Sequence, residues 1–130
     1  MTPVDQEFLH LPEQGQQGDC MRAALASLLD LPIAEVPHFA QLDADGKGNF
    51  WLLVAEFCRR QGFAFVMMRG AFLWADDVIY HLISGPSPRN PGGTHAVVGQ
   101  NGLVHFDPHP SRAGLDGEPS DWHHYLLVRP

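Results

Sequence analysis

The sequence predicts a single-domain α+β fold, with helices first and an antiparallel sheet after them. Three observations carry that expectation. Residues 18–30 and 49–61 set apolar side chains at helical spacing. The second half alternates runs of strand formers with Gly- and Pro-rich loops. Asn101-Gly102 lies between two apolar runs, the strongest short hairpin signal. Helices followed by hairpin-linked strands make an α+β order.

Taken in order, residues 1–17 are polar, Gln-rich near their end, and read as an extended lead-in. GDCMRAALASLLD (18–30) reads as a helix with Met21, Ala24, Leu25, Leu28 and Leu29 on one face. Asp19 stands at its N-cap and Leu31-Pro32 ends it. Residues 32–39 open a short helical turn, and ADGKG (44–48) is a loop. A second helix spans 49–61 with Gly62 as its stop. Residues 63–68 are rich in strand formers, 71–77 fit either state, and 78–84 read as a strand. GPSPRNPGG (85–93) is a loop. Strands at 94–100 and 103–107 form the hairpin, a loop follows, and 122–128 is the last strand. His123 and His124 then point to opposite faces as edge polar residues, while Trp51, Trp74, Trp122 and the phenylalanines are expected in the core.

The chain has 130 residues, enough for one domain with a real core. It is 45% apolar and 18% charged, which suits a globular protein. The net charge is −7 and the single lysine is Lys47. Without a basic run, nucleic acid and anionic membrane surfaces are excluded as expected partners. MTPVDQEFLH lacks a basic and an apolar signal region, and no apolar run approaches a bilayer span. The expected setting is the cytoplasm, with reduced thiols. Two cysteines make no disulfide framework, and Cys58, in an apolar helical run, reads as a small core residue.

Cys20 is different. It stands at the predicted start of a helix, two residues after Gly18. A thiol attacks as the thiolate, and the unpaired N–H groups and dipole of a helix N-terminus favour that anion. A nucleophile also needs a base. His95 opens the apolar run HAVVG after a Gly-rich loop, and the hairpin returns Asp107 beside it. A carboxylate there orients the imidazole and holds its tautomer. Oxyanion donors would be the Cys20 backbone N–H and an amide from Gln14, Gln16 or Gln17. Asp19, beside the nucleophile, and Ser87 and Arg89, in the 85–93 loop, are candidate substrate-binding residues. The run PHPSRAG repeats the Ser-Arg theme, which suggests that both loops lie near the cleft.

Q-x5-C at a helix start, then HAVVG, then FDP after a hairpin, resembles papain-like cysteine peptidases. The closest likeness is to the compact bacterial branch, such as the bacteriocin-processing, ABC-transporter-associated peptidase domains. It covers roughly residues 14–31 and 93–108. The resemblance implies a papain-like fold whose N-terminal catalytic helix packs on a C-terminal antiparallel sheet. It implies Cys20 as nucleophile, His95 as base and acid, Asp107 as orienter and Gln14 as oxyanion donor, with Gln17 as fallback. The implied activity is hydrolysis of a peptide, isopeptide or other amide bond, with no cofactor. The implied partner is a peptide, protein or small amide substrate. An acyl transferase or glutamine deamidase would use the same triad, and a silent binding or inhibitor module would keep the fold without the chemistry.

His105, Asp107 and His109 also form H-x-D-x-H, a pattern able to ligate a metal from one strand face. Pro108 interrupts the strand inside that triplet, so no metal site is expected.

Overall fold

The computed structural model describes residues 1–70 and 77–130. Trp74 and nearly all of the ambiguous 71–77 stretch lie outside the described residues. Helix α1 (Cys20–Leu28), α2 (Phe39–Ala44) and α3 (Phe50–Arg60) precede strands β1 (Ala64–Arg69), β2 (Tyr80–Pro86), β3 (Thr94–Gln100), β4 (Leu103–Phe106) and β5 (His123–Val128). The strands form one sheet in the order β1-β5-β2-β3-β4, and every pairing is antiparallel. The α+β expectation therefore holds.

Helix α1 forms because its small and apolar residues suit one buried face: Met21, Ala23, Ala24, Leu25, Ala26 and Ser27 are all buried. It rests mainly on β3 and β2. Leu82, Ala96, Val98 and Tyr125 of the sheet join α1, α2 and α3 in the main core. Ile83, Val97 and Trp122 form a smaller cluster, as the alternation along a strand requires. Asn49 caps α3 by accepting from the Leu52 N–H at 3.2 Å. Gly62 takes the left-handed conformation just past its end, at φ 90°.

Several expected boundaries move. The expected turn over 32–39 is a 3-10 turn at Ile33–Glu35, and a separate α2 then runs into the stretch read as a loop. His38, not an Asx or Ser residue, caps α2: its Nδ1 accepts from the Gln41 N–H at 3.3 Å. Strand β2 starts two residues late and runs through Gly85 and Pro86, which read as loop. Gly85 belongs in the strand because Trp122 lies against it; a Cβ there would sit 2.7 Å from Trp122 Cδ1. His123 and His124 are not at an edge, since β5 pairs with both β1 and β2. His124 is buried and bonds the Pro119 carbonyl at 2.9 Å through Nε2. Trp122 is core as expected, but Trp51 is 43% exposed, stacked on Tyr125 and Phe65 as a half-covered lid over the core.

Gly99 marks a second close approach, at the register shift between β3 and β4. A Cβ there would lie 2.5 Å from Ile83 Cδ1 and 2.8 Å from His81 Cε1. Gly99→Ala is therefore expected to cost about 2 kcal/mol through overpacking, read as a lower urea midpoint at unchanged slope. An unchanged midpoint would refute this account of the strand.

Candidate active site

Cys20, His95 and Asp107 come together at one end of the sheet. Cys20 is the first residue of α1 and is half-buried. His95 is the second residue of β3, and Asp107 follows the last residue of β4. The β3–β4 pairing sets Val98 opposite Phe106, so the two ends of the hairpin meet beside α1. His95 is 5% exposed and Asp107 4%. His95 Nε2 donates to Asp107 Oδ1 at 2.7 Å. That bond occupies Nε2 and leaves Nδ1 as the other ring nitrogen, and the Cys20 side chain is close enough to the ring to raise its pKa.

Asp107 is held by more than the histidine. Oδ1 also accepts the His109 N–H at 2.9 Å, and Oδ2 accepts the Gly114 N–H at 2.7 Å. Burial raises its pKa, but these donors and the His95 ring outweigh that and hold the carboxyl below its usual range. Burial likewise opposes charge on His95. Hydrogen bonds to Asp107 and Cys20, and the charges of both side chains, win, and His95 is pushed up to about 9. The ring is thus an imidazolium at neutral pH. Cys58 is the opposite case: it is buried in α3, and desolvation pushes its thiol up to about 11.

Comparison with known proteins returns no matching family model, no matching curated protein and no matching solved structure.

The other anticipated site residues take less direct places. Asp19 stands at the α1 N-cap but makes no cap bond. Its carboxylate, 2% exposed, accepts the Phe8 N–H at 2.9 Å and the Glu7 N–H at 3.3 Å, and meets Arg22 at 3.5 Å. It braces the lead-in against the helix that carries Cys20. Gln14 ends the 3-10 turn Pro12–Gln14 inside a small hairpin closed by the Leu11–Gln16 bridge. Its side chain is exposed and has no hydrogen bond among the described residues. The Gln17 backbone is pinned to α2 on both sides, by Gln41 Oε1 at 3.1 Å and His38 Nε2 at 3.1 Å. Ser87 is a turn residue whose Oγ accepts the Arg89 and Asn90 N–H groups. Arg89 reaches Ser111 Oγ at 2.9 Å, which joins the two Ser-Arg loops.

Two features escaped sequence reasoning. His109, weighed only as a metal ligand, packs edge-on against His95 with ring centroids 6.1 Å apart. Arg112, at φ 53°, donates to the Asp107 carbonyl at 2.7 Å and pairs with Asp5 at 2.7 Å. His105 lies beside Tyr80 instead, at 5.1 Å between rings. Among the described residues no group of three His, Cys, Asp or Glu is arranged to hold a metal ion, and no helix is long and apolar enough to cross a membrane. A cavity of about 310 Å³ borders the loop before Cys20, lined by Phe8, Gly15, Gln16, His38 and Gln41. The larger cavity, about 590 Å³, lies between α3 and β1 and touches none of the three clustered residues.

The His95 imidazole is expected to titrate with a midpoint near 9 in an NMR pH series. Asp107→Asn removes a negative partner of the protonated ring, so the midpoint must fall. A midpoint that stays in place would remove Asp107 from its role.

Proposed function

We propose that this chain is a papain-like thiol hydrolase that cleaves an amide bond through an acyl-enzyme on Cys20. One observation carries the reading: a cysteine at the first turn of a helix shares a buried site with an imidazolium oriented by a carboxylate at 2.7 Å. The placement of α1 against the sheet bearing His95 and Asp107 supports the papain-like likeness.

The Cys20 thiolate attacks the carbonyl carbon and a C–S bond forms. The oxygen that takes the negative charge is met by the backbone N–H of Cys20, which has no partner within the helix at that position. The unengaged Gln14 amide is the second donor. His95 gives its proton to the leaving nitrogen, the C–N bond breaks, and the amine departs. Water then attacks the thioester, His95 takes one of its protons, the C–S bond breaks, and the acid is released with Cys20 again a thiolate. Asp107 keeps Nε2–H bonded throughout, so Nδ1 handles every transfer. No cofactor enters these steps. The absence of a basic run argues for a substrate other than nucleic acid.

p-Nitrophenyl acetate tests this reading. The native protein should release a burst of nitrophenol equal to its Cys20 content, with an acetyl group found on Cys20. Cys20→Ala should abolish the burst, and His95→Ala should slow acylation by about a hundredfold. Iodoacetamide should label Cys20 while Cys58, buried and held protonated, stays unmodified. A Cys20→Ala protein as active as the native one, or labelling of Cys58 ahead of Cys20, would overturn the proposal.

A further inference from the structure

Beside His109, the ring that packs on His95, lies a cation that no carboxylate meets among the described residues. Arg22, Arg60 and Arg112 each meet a carboxylate, respectively on Glu7 and Asp19, Glu56, and Asp5. Arg59, Arg69, Arg89 and Arg129 make no ion pair among the described residues, and of these four Arg89 alone is half-buried and the others exposed. This occurs in a chain with 15 acidic and 8 basic side chains, where a counter-ion was easy to supply. A partly buried charge without a partner is costly, and a guanidinium fork fits a carboxylate.

Arg89 is also held in place. Its N–H is bonded to Ser87 Oγ at 3.2 Å, and its Nη1 to Ser111 Oγ at 2.9 Å. The Asp116 N–H donates to the Pro86 carbonyl at 3.0 Å, which ties the same two loops a second time. The Ser111 N–H donates to His109 Nδ1 at 3.0 Å. That bond puts the proton of a neutral His109 on Nε2. Burial first, then the charges of Arg89 and His95, hold His109 below its ordinary pKa, so the neutral donor form prevails at neutral pH. A continuous path therefore runs from Arg89 through Ser111 and His109 to the His95 ring.

The path has a direction. His95 protonates the leaving nitrogen, so the leaving group lies on the imidazole side of the sulfur. His109 packs against the ring that delivers that proton, and Arg89 is linked to His109 through Ser111. We infer that Arg89, with the Nε2–H of His109, receives a carboxylate carried by the leaving amine, so that the substrates are amides whose departing group is an amino acid with a free carboxylate. This rests on Cys20 being the nucleophile and adds the substrate class.

N-iodoacetylglycine and N-iodoacetylglycinamide test it, because they differ only in whether the terminal group is charged. Thiolate attack forms a C–S bond and expels iodide in both. Cys20 labelling should favour the acid over the amide, and Arg89→Gln should lower that preference about tenfold, the loss of one hydrogen bond between charged groups. Arg89→Lys, which keeps the charge, should retain part of it. Ser111→Ala, which frees the guanidinium, should lower it without removing the cation. A preference unchanged in Arg89→Gln and Ser111→Ala overturns the inference while leaving the thiol hydrolase intact. If neither reagent labels Cys20 faster than Cys58, the hydrolase reading itself has failed.

Discussion

The buried carboxylate of Asp107 is the constraint on which the rest of the site depends. An ion taken from water needs donors on both oxygens, and three segments supply them. His95 comes from β3, the His109 N–H from the residues just past Pro108, and the Gly114 N–H from farther along that loop. Arg112 adds a bond to the Asp107 carbonyl and lies over the Phe106 ring. The loop after β4 is therefore wrapped around one side chain. Its irregular backbone, including the left-handed Arg112, follows from the need to aim two N–H groups at the carboxylate. The imidazole orientation is a consequence of the same closure.

A second constraint fixes the distance between that loop and Cys20. The lead-in runs as a strap across both. At one end the Thr2 and Val4 N–H groups bond the Ser27 carbonyl and hydroxyl of α1. Farther along, the Gln6 N–H bonds the Pro108 carbonyl, and the Phe8 N–H bonds Asp19 beside Cys20. Asp5 adds its ion pair to Arg112. Helix and loop are thus joined through the sheet beneath and through the strap above. Reacting groups tolerate little error in position, so such double attachment suits a thiol and an imidazole carried on separate elements.

What could be read in the sequence was what local rules decide. The α1 and α3 helices follow from apolar spacing, and the β3–β4 turn from Asn101-Gly102, with Asn101 left-handed at φ 51°. Once that turn is placed, His95 and Asp107 must approach each other. What could not be read depends on tertiary packing. β5 inserts between β1 and β2, which buries His124; nothing in WHHYLLV distinguishes a central strand from an edge. Gly85 and Pro86 look like loop residues until Trp122 is seen against the glycine. Asp19 has an ideal cap position, yet its oxygens go to the lead-in, a partner many residues away in sequence. The donors from His109 and Gly114 are backbone groups, which every residue but proline carries, so no sequence signal marks them.

The histidines show why the site must be argued from neighbours and not from residue type. Burial by itself drives an imidazole toward the neutral form. His81 obeys: it is fully buried, its Nε2 accepts the Gly102 N–H at 3.1 Å, and its pKa is lowered, chiefly by burial. His109 obeys as well, helped down by Arg89. His95 is buried too and moves the other way, because the Asp107 carboxylate lies at 2.7 Å and the Cys20 side chain adds to the upward push. Remove either partner and part of the stabilisation of charge is lost; remove both and burial would leave a neutral ring like His81. The imidazolium is therefore a property of the Cys20–His95–Asp107 arrangement as a whole.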